Sequence, residues 1–330
     1  MTEMTEMPES PKAAPRAADG MVADAVADNW VDRLAPRWTR PYLRLARADR
    51  PIGSWLLLLP CWWGLALAAA VDGPRWMDLW IAAGCFLGAF VMRGAGCTWN
   101  DITDRAFDAQ VARTRSRPIP SGQVTVRGAL IWLVLQTLVG GAVLLSFNWA
   151  AIGMGVASLI LVAIYPFAKR FTWWPQVFLG LAFNWGALLA WVAHAGSLGL
   201  PAVLLYVAGI SWTLFYDTIY AHQDKEDDVL IGVKSTARLF GDKTKGWLVF
   251  FMIATVVLLT AAVLVALLPA GAAPLVLTLA LIGPWAMGWH MVWQLQKLDV
   301  DNPAICLMLF RANRDTGLIF ALFLAIAALA

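Results

Sequence analysis

Nine apolar runs, each near the ~20 residues that a helix needs to cross a bilayer, constrain this chain more than any other feature. They lie at about 52–71, 79–98, 126–146, 150–168, 174–194, 200–217, 247–268, 273–294 and 312–329. The 330 residues are 60% hydrophobic and 14% charged, whereas a soluble domain carries roughly 25% charged residues. The expected architecture is all-α: a polytopic membrane protein of about nine transmembrane helices, bundled around a central cavity that opens to the cytoplasmic side. Residues 36–330 form that domain. Residues 1–35, rich in Ala, Pro, Glu and Asp, read as a disordered tail.

Orientation follows from where the 25 Lys and Arg fall. Eight precede residue 51, five lie from Arg105 to Arg127, and Lys169 and Arg170 follow the fourth run. Five more run from Lys225 to Lys245, and Lys297, Arg311 and Arg314 separate the eighth run from the ninth. The alternate loops carry almost none, so the positive-inside rule puts the N-terminus and every even-to-odd loop in the cytoplasm. Arg93 falls inside the second run. Arg37, Arg40, Arg44, Arg47 and Arg50, set among Trp38, Tyr42, Leu43 and Leu45, form an amphipathic segment on the cytoplasmic surface. Of these, Arg50 is best placed to reach a site. Of the 19 tryptophans, Trp62, Trp63, Trp76, Trp80, Trp149, Trp173, Trp174, Trp285 and Trp289 lie near run ends, and an interfacial belt explains most of these. Cys61, Cys85, Cys97 and Cys306 form no C-x-x-C pair and read as small buried hydrophobes.

Against this sparse charge stand two acid-rich segments, each at the end of an even-numbered run. Asn100, Asp101, Asp104 and Asp108 share one face if the second helix continues through them, at i, i+3 or i+4, and i+7. By the same reasoning Asp217, Tyr220, Asp224 and Asp228 form a second stripe, with Asp227 beside it. Arg113, Arg115 and Arg117 follow the first segment, Lys234 and Arg238 the second. This recurrence suggests two four-span halves with a ninth span added. Carboxylates this dense at a membrane edge need a cation, and a divalent ion such as Mg2+ carrying a phosphate is the natural one. The planar guanidinium of Arg113, Arg117 or Arg170 suits phosphate oxygens. No Ser, Cys or His stands out as a nucleophile or base; His222 lies in the second stripe among better candidates. A lipid-chain diphosphate whose leaving group is neutralised by metal, ionising to an allylic cation, needs none.

These motifs resemble the UbiA superfamily of intramembrane aromatic prenyltransferases. The stretch from Asn100 to Asp108 fits N-D-x-x-D-x-x-x-D in full, and Arg113–Gly122 continues in the same manner. So does Arg47–Gly53 ahead of the first run. The blocks Tyr165–Gln176 and Tyr216–Ala237 resemble the branch that prenylates 4-hydroxybenzoate for ubiquinone. The resemblance covers about residues 40–330 and implies transfer of a polyprenyl group from polyprenyl diphosphate to the ring carbon ortho to the acceptor's hydroxyl. It implies Mg2+ held by Asn100, Asp101, Asp104 and Asp108 and by Asp217, Asp224, Asp227 and Asp228. Arg50, Arg113, Arg117, Lys169, Arg170, Tyr220 and Lys234 would bind substrate. Asp101, Asp104, Asp108, Asp217 and Arg170 would carry the catalysis. The partners expected are the two substrates and membrane lipid, with no nucleic acid and no obligate protein. Homogentisate, a naphthoate, haem or a glyceryl lipid are the alternative acceptors. A cation-coupled transporter is the alternative class, though its acids belong near the midplane rather than at one edge. Glu3, Glu6 and Glu9 do not suit a mitochondrial transit peptide, which favours a bacterial inner membrane.

Overall fold

The structure, a computed structural model, describes residues 22, 25–26, 28–110, 114–225 and 232–330. Thirteen helices are used below: α1 (Trp30–Arg33), α2 (Arg40–Leu45), α3 (Ile52–Asp72), α4 (Trp76–Asp108), α5 (Val126–Leu144), α6 (Trp149–Ile164), α7 (Ala168–Phe171), α8 (Pro175–Ala195), α9 (Leu200–Ala221), α10 (Thr236–Phe240), α11 (Thr244–Leu267), α12 (Pro274–Lys297) and α13 (Pro303–Leu329). Among the described residues, nine helical stretches are long and apolar enough to cross a membrane, and no strand occurs. The protein is an all-helical, multi-pass membrane protein.

Two spans differ from the hydropathy reading. Helix α4 runs 33 residues without a break to Asp108, which carries the first acidic segment out of the bundle on a rigid rod. Helix α13 starts at Pro303, so Arg311 and Arg314 lie in a helix and not in a loop. The start signal is polar: the Asn302 side chain accepts from Ala304 N and Ile305 N, and proline at the first position is already shaped for the helix. Hydropathy alone does not see such a cap.

Helix α3 is the hub and packs tightly on α8 and α13. A Cβ at Gly64 would sit 2.2 Å from the Ala187 carbonyl oxygen, so the α3–α8 approach depends on a missing side chain. Trp63 lies against Trp212 and Phe320, with ring centroids 5.0 and 5.2 Å away, and donates to the Gly317 carbonyl at 2.9 Å. Trp212 donates to Asn313 Oδ1, and Asn313 donates to Gln294 Oε1, each at 2.9 Å. Paired polar groups of this kind hold helices together in lipid, where apolar burial between helices has little driving force. They lock α9, α12 and α13 to the hub. Helices α5 and α6 are different. Each packs on another neighbour, α5 on α4 and α6 on α8, but they hardly touch each other.

The expected tail lies mainly outside the described residues, but its last part is packed. Val31 is fully buried, Asp32 pairs with Arg44 at 2.7 Å, and Trp30 Nε1 donates to the Ala48 carbonyl at 2.9 Å. The domain therefore begins before residue 36. Apolar anchors spaced this sparsely are too few to register as periodicity.

Candidate functional site

The first acidic segment is helical to Asp108, as its spacing predicts, and its carboxylates share one face. Asp101 and Asp104 are wholly buried and Asp108 nearly so. One arginine demonstrates the alignment: Arg117 Nη1 donates to Asp108 at 2.9 Å and reaches Asp101 at 3.4 Å. Lys169 donates to Asp104 at 2.6 Å and Arg170 at 3.2 Å. Arg170 is further held over the rings of Phe107 and Phe167, 5.4 and 5.1 Å from their centroids. Charges buried at this depth are tolerated only when paired, and here the partners are basic side chains from the segment after α4 and from α7, joined by Arg47 from the end of α2. Asn100 lies on the same face, half-buried.

The second segment keeps helical register only in part. Helix α9 ends at Ala221 and a 3-10 turn follows over His222–Asp224. Lys225 is helical again, and the expected face beyond it, through Asp228, lies outside the described residues. Asp217 lies within electrostatic reach of Arg93, with the Gln176 side chain beside it. Tyr220 lies against Phe310, with ring centroids 4.4 Å apart and the planes tilted by 40°. The Asp224 side chain, Asp227, Asp228 and Arg113 lie outside the described residues. His222 is buried beside Thr244; burial pushes it down to about 4 and the Lys225 charge acts in the same direction. It is neutral at neutral pH and is not a general acid there.

Two expected contacts are redistributed. Lys234 is directed away from the carboxylates: Nζ donates to the Phe171 carbonyl at 3.4 Å and lies 5.8 Å from the Trp173 ring. Arg238 lies over the same ring at 5.4 Å, so Lys234 clasps two loops together. Arg50 pairs with the adjacent Asp49 at 2.8 Å, and the arginine that grips the first stripe from this segment is Arg47, at 2.6 Å from Asp101.

Sequence reading assigned Arg47 to the membrane surface. Its role follows from local backbone. Ala48 N donates to Leu43 O and Arg47 N to Arg44 O, which closes α2 as a Schellman motif. That motif requires a left-handed residue, here Arg47 at φ 61°, where glycine is usual. The strain of about 1–2 kcal/mol aims the guanidinium at Asp101. Removing it leaves a buried carboxylate short of a partner, at a cost of about 3–5 kcal/mol. Arg47→Ala is therefore expected to lower thermal stability sharply. Arg47→Gly should lower it less, by roughly the 1–2 kcal/mol of relieved strain, with equal loss of activity. Equal melting temperatures for the two variants would remove the strain argument.

Arg93 is the second residue the sequence reading left without a role. It lies two helical turns before Asn100 and Asp101, on their face of α4. Its guanidinium sits 5.0 Å from the Phe183 ring and close against Gly53, where a Cβ would lie 2.5 Å from Nε. Nε is buried with no hydrogen-bond partner. Tyr165, whose hydroxyl donates to the Gly96 carbonyl at 3.2 Å, and Tyr220 are its electrostatic neighbours. A charged residue inside a span is a signal in itself, and its register with Asn100 was there to be read. Beyond Arg93 an apolar cavity of about 390 Å³ runs between α3, α4, α5, α6 and α8 as far as Phe147. The site is thus an acidic row in a basic collar, one buried cation, and an apolar chamber behind it.

Similarity to known proteins agrees with this geometry. The profile of the UbiA prenyltransferase family matches residues 57–314. A mitochondrial 4-hydroxybenzoate polyprenyltransferase of Drosophila pseudoobscura pseudoobscura is 49% identical over 291 residues, covering 87% of this chain and 70% of the relative. That of Bos taurus is 46% identical over 315 residues, covering 95% and 81%. In fold, a UbiA homolog from Aeropyrum pernix K1 superposes with a TM-score of 0.65 at 21% identity, covering 83% of this chain and 96% of that one. A UbiA homolog from Archaeoglobus fulgidus bound to GPP and Mg2+ gives 0.63 at 21% identity, covering 87% and 98%. The relatives' mitochondrial names run against the expected bacterial inner membrane, because an acidic N-terminal stretch says nothing of the membrane a bundle occupies. Membership rests on the length of the match and on the site together: this chain belongs to the UbiA prenyltransferase family.

Proposed function

We propose that the chain transfers a polyprenyl group from polyprenyl diphosphate to C3 of 4-hydroxybenzoate, as ubiquinone biosynthesis requires. The observation that carries the proposal is the buried row Asp101–Asp104–Asp108 in its basic collar, with Arg93 between it and an apolar chamber. The relatives named for this reaction share nearly half their residues with the chain. The carbon–oxygen bond of the donor breaks, diphosphate leaves, the ring carbon ortho to the hydroxyl bonds to the allylic carbon, and one ring proton is released.

The residues fit magnesium. Asp101 Oδ2 is buried with no hydrogen-bond partner, and the donor set is oxygen throughout, from aspartate carboxylates and the Asn100 amide. No group of three or more acidic, His or Cys side chains forms a ready cage among the described residues. Magnesium usually takes one or two protein carboxylates and completes its shell with water and substrate phosphate, so its protein ligands would be drawn from this oxygen donor set. Asn100, Asp101, Asp104 and Asp108 would hold one ion. Asp217 would hold another, with Asp224, Asp227 and Asp228 contributing on the strength of the family resemblance. When bound, the metal would neutralise charge on the departing diphosphate.

The chain's own side chains do the rest. Lys169, Arg170 and Arg117 neutralise the carboxylates without substrate and are the groups a diphosphate would compete for; Arg113 stands next to them in sequence. Arg93 supplies a cation for the acceptor carboxylate, with Tyr220 and Tyr165 beside it. The chamber shields the prenyl tail and the cation from water. By the charge bias, the site faces the cytoplasmic or matrix side of its membrane.

The test uses membranes containing the chain, geranyl diphosphate, 4-hydroxybenzoate and Mg2+. The expected product is 3-geranyl-4-hydroxybenzoate by mass, lost on EDTA addition and restored by excess Mg2+. Failure with geranyl and with longer donors alike rejects the hydroxybenzoate acceptor; product that survives EDTA rejects the metal.

A further inference from the structure

The apolar chamber carries a statement about donor length. It follows one face of α4: Gly84, Gly88, Met92, Arg93 and Gly96 line it in helical register. Gly96 is at the Arg93 end and Gly84 is at the far end, beside Phe147. At 1.5 Å per residue, Gly88 lies about 12 Å and Gly84 about 18 Å from Gly96 along the helix.

The glycines that α4 and α5 bring to the chamber fall into two groups. At Gly84 a Cβ would meet the Phe147 ring at 2.9 Å, and at Gly140 the Met92 Sδ at 2.7 Å. Those two let helices or side chains pack. At Gly88, Gly96 and Gly141 a Cβ would meet nothing within 4 Å, although all three line the chamber. There the absent side chain is the chamber's bore. Gly88 and Gly141 come from two different helices that pack on each other. The chamber is open on the side where α5 and α6 hardly touch: Val156 and Leu159 of α6 line it and are exposed.

We propose that Gly88 and Gly141 form a gauge, which admits prenyl tails too long to end beside Gly96 and passes them toward the α5–α6 side; the inference rests on the prenyl-transfer reading above. Side chains at these positions narrow the path of a long tail and leave a short tail untouched.

The experiment is a competition between geranyl diphosphate and a solanesyl diphosphate donor for 4-hydroxybenzoate, with both products read by mass so that their ratio gives the relative kcat/KM. Gly88→Leu and, independently, Gly141→Leu are expected to shift the ratio toward the short product at least about tenfold, the scale on which a filled apolar pocket discriminates by size. Gly88→Ala and Gly141→Ala, which the empty space accommodates, should shift it the same way by less. Gly96→Leu, next to Arg93, should reduce both products together. An unchanged ratio in the alanine and leucine variants overturns the gauge, even where total activity falls. A wild-type chain that makes neither product defeats the prenyl-transfer reading instead, before the ratio is ever measured.

Discussion

Replacing Asp104 by asparagine should lower kcat by roughly 10³-fold, the scale of removing one charge-stabilising group from a preorganised site, with the donor KM kept within a few-fold. Asp104 is fully buried and held by two bases, Lys169 and Arg170. Asparagine keeps its shape and removes its charge. The bases left without it have side chains 28% and 40% exposed, so water solvates them and the fold stands. They also lose a competitor for phosphate, which is why donor binding should survive. What disappears is a carboxylate that would help hold the cation neutralising the negative charge of the leaving group. The check is a steady-state comparison with wild type at saturating Mg2+, alongside melting curves in detergent. A raised KM at unchanged kcat would make Asp104 a uniform binding group, and an unaltered kcat would remove it from the machinery.

How far this was legible in the sequence depends on whether each feature is local. The spans, and the stripe from Asn100 to Asp108, are local: they need only helix periodicity and a run of residues without a breaker. At the second stripe α9 gives way to a 3-10 turn after Ala221, a change of register that no proline or glycine marks in the sequence. The pairing of the carboxylates was not legible at all. Arg47 is 54 residues from Asp101, and in sequence it is one of five similar arginines; a single left-handed residue at the end of α2 decides that it, rather than a neighbour, turns inward. Lys234 carries the right charge at the right end of the bundle but is occupied with Trp173. Charge bias told which end of the molecule holds the chemistry, and only tertiary structure told which charges meet.

Arg93→Ala should raise the KM for 4-hydroxybenzoate about 100-fold, in line with the 2–5 kcal/mol lost when one partner of a buried charge pair is truncated, with the donor KM unchanged. Arg93 Nε has no hydrogen-bond partner, the guanidinium lies within electrostatic reach of Asp217 and lines the chamber, and the acceptor brings the one carboxylate the reaction still has to place. A phenolic acceptor without a carboxylate isolates the interaction: wild type and Arg93→Ala should use it equally poorly. Gly53→Ala supplies the second arm. Its Cβ would lie 2.5 Å from Arg93 Nε, so the long arginine must swing away while the backbone stays in place. That variant should melt near the wild-type temperature and still show a raised acceptor KM. If Arg93 instead served only to brace α3 against α4, the outcome would reverse: melting temperature would fall in Arg93→Ala, and carboxylated and uncarboxylated acceptors would lose the same factor.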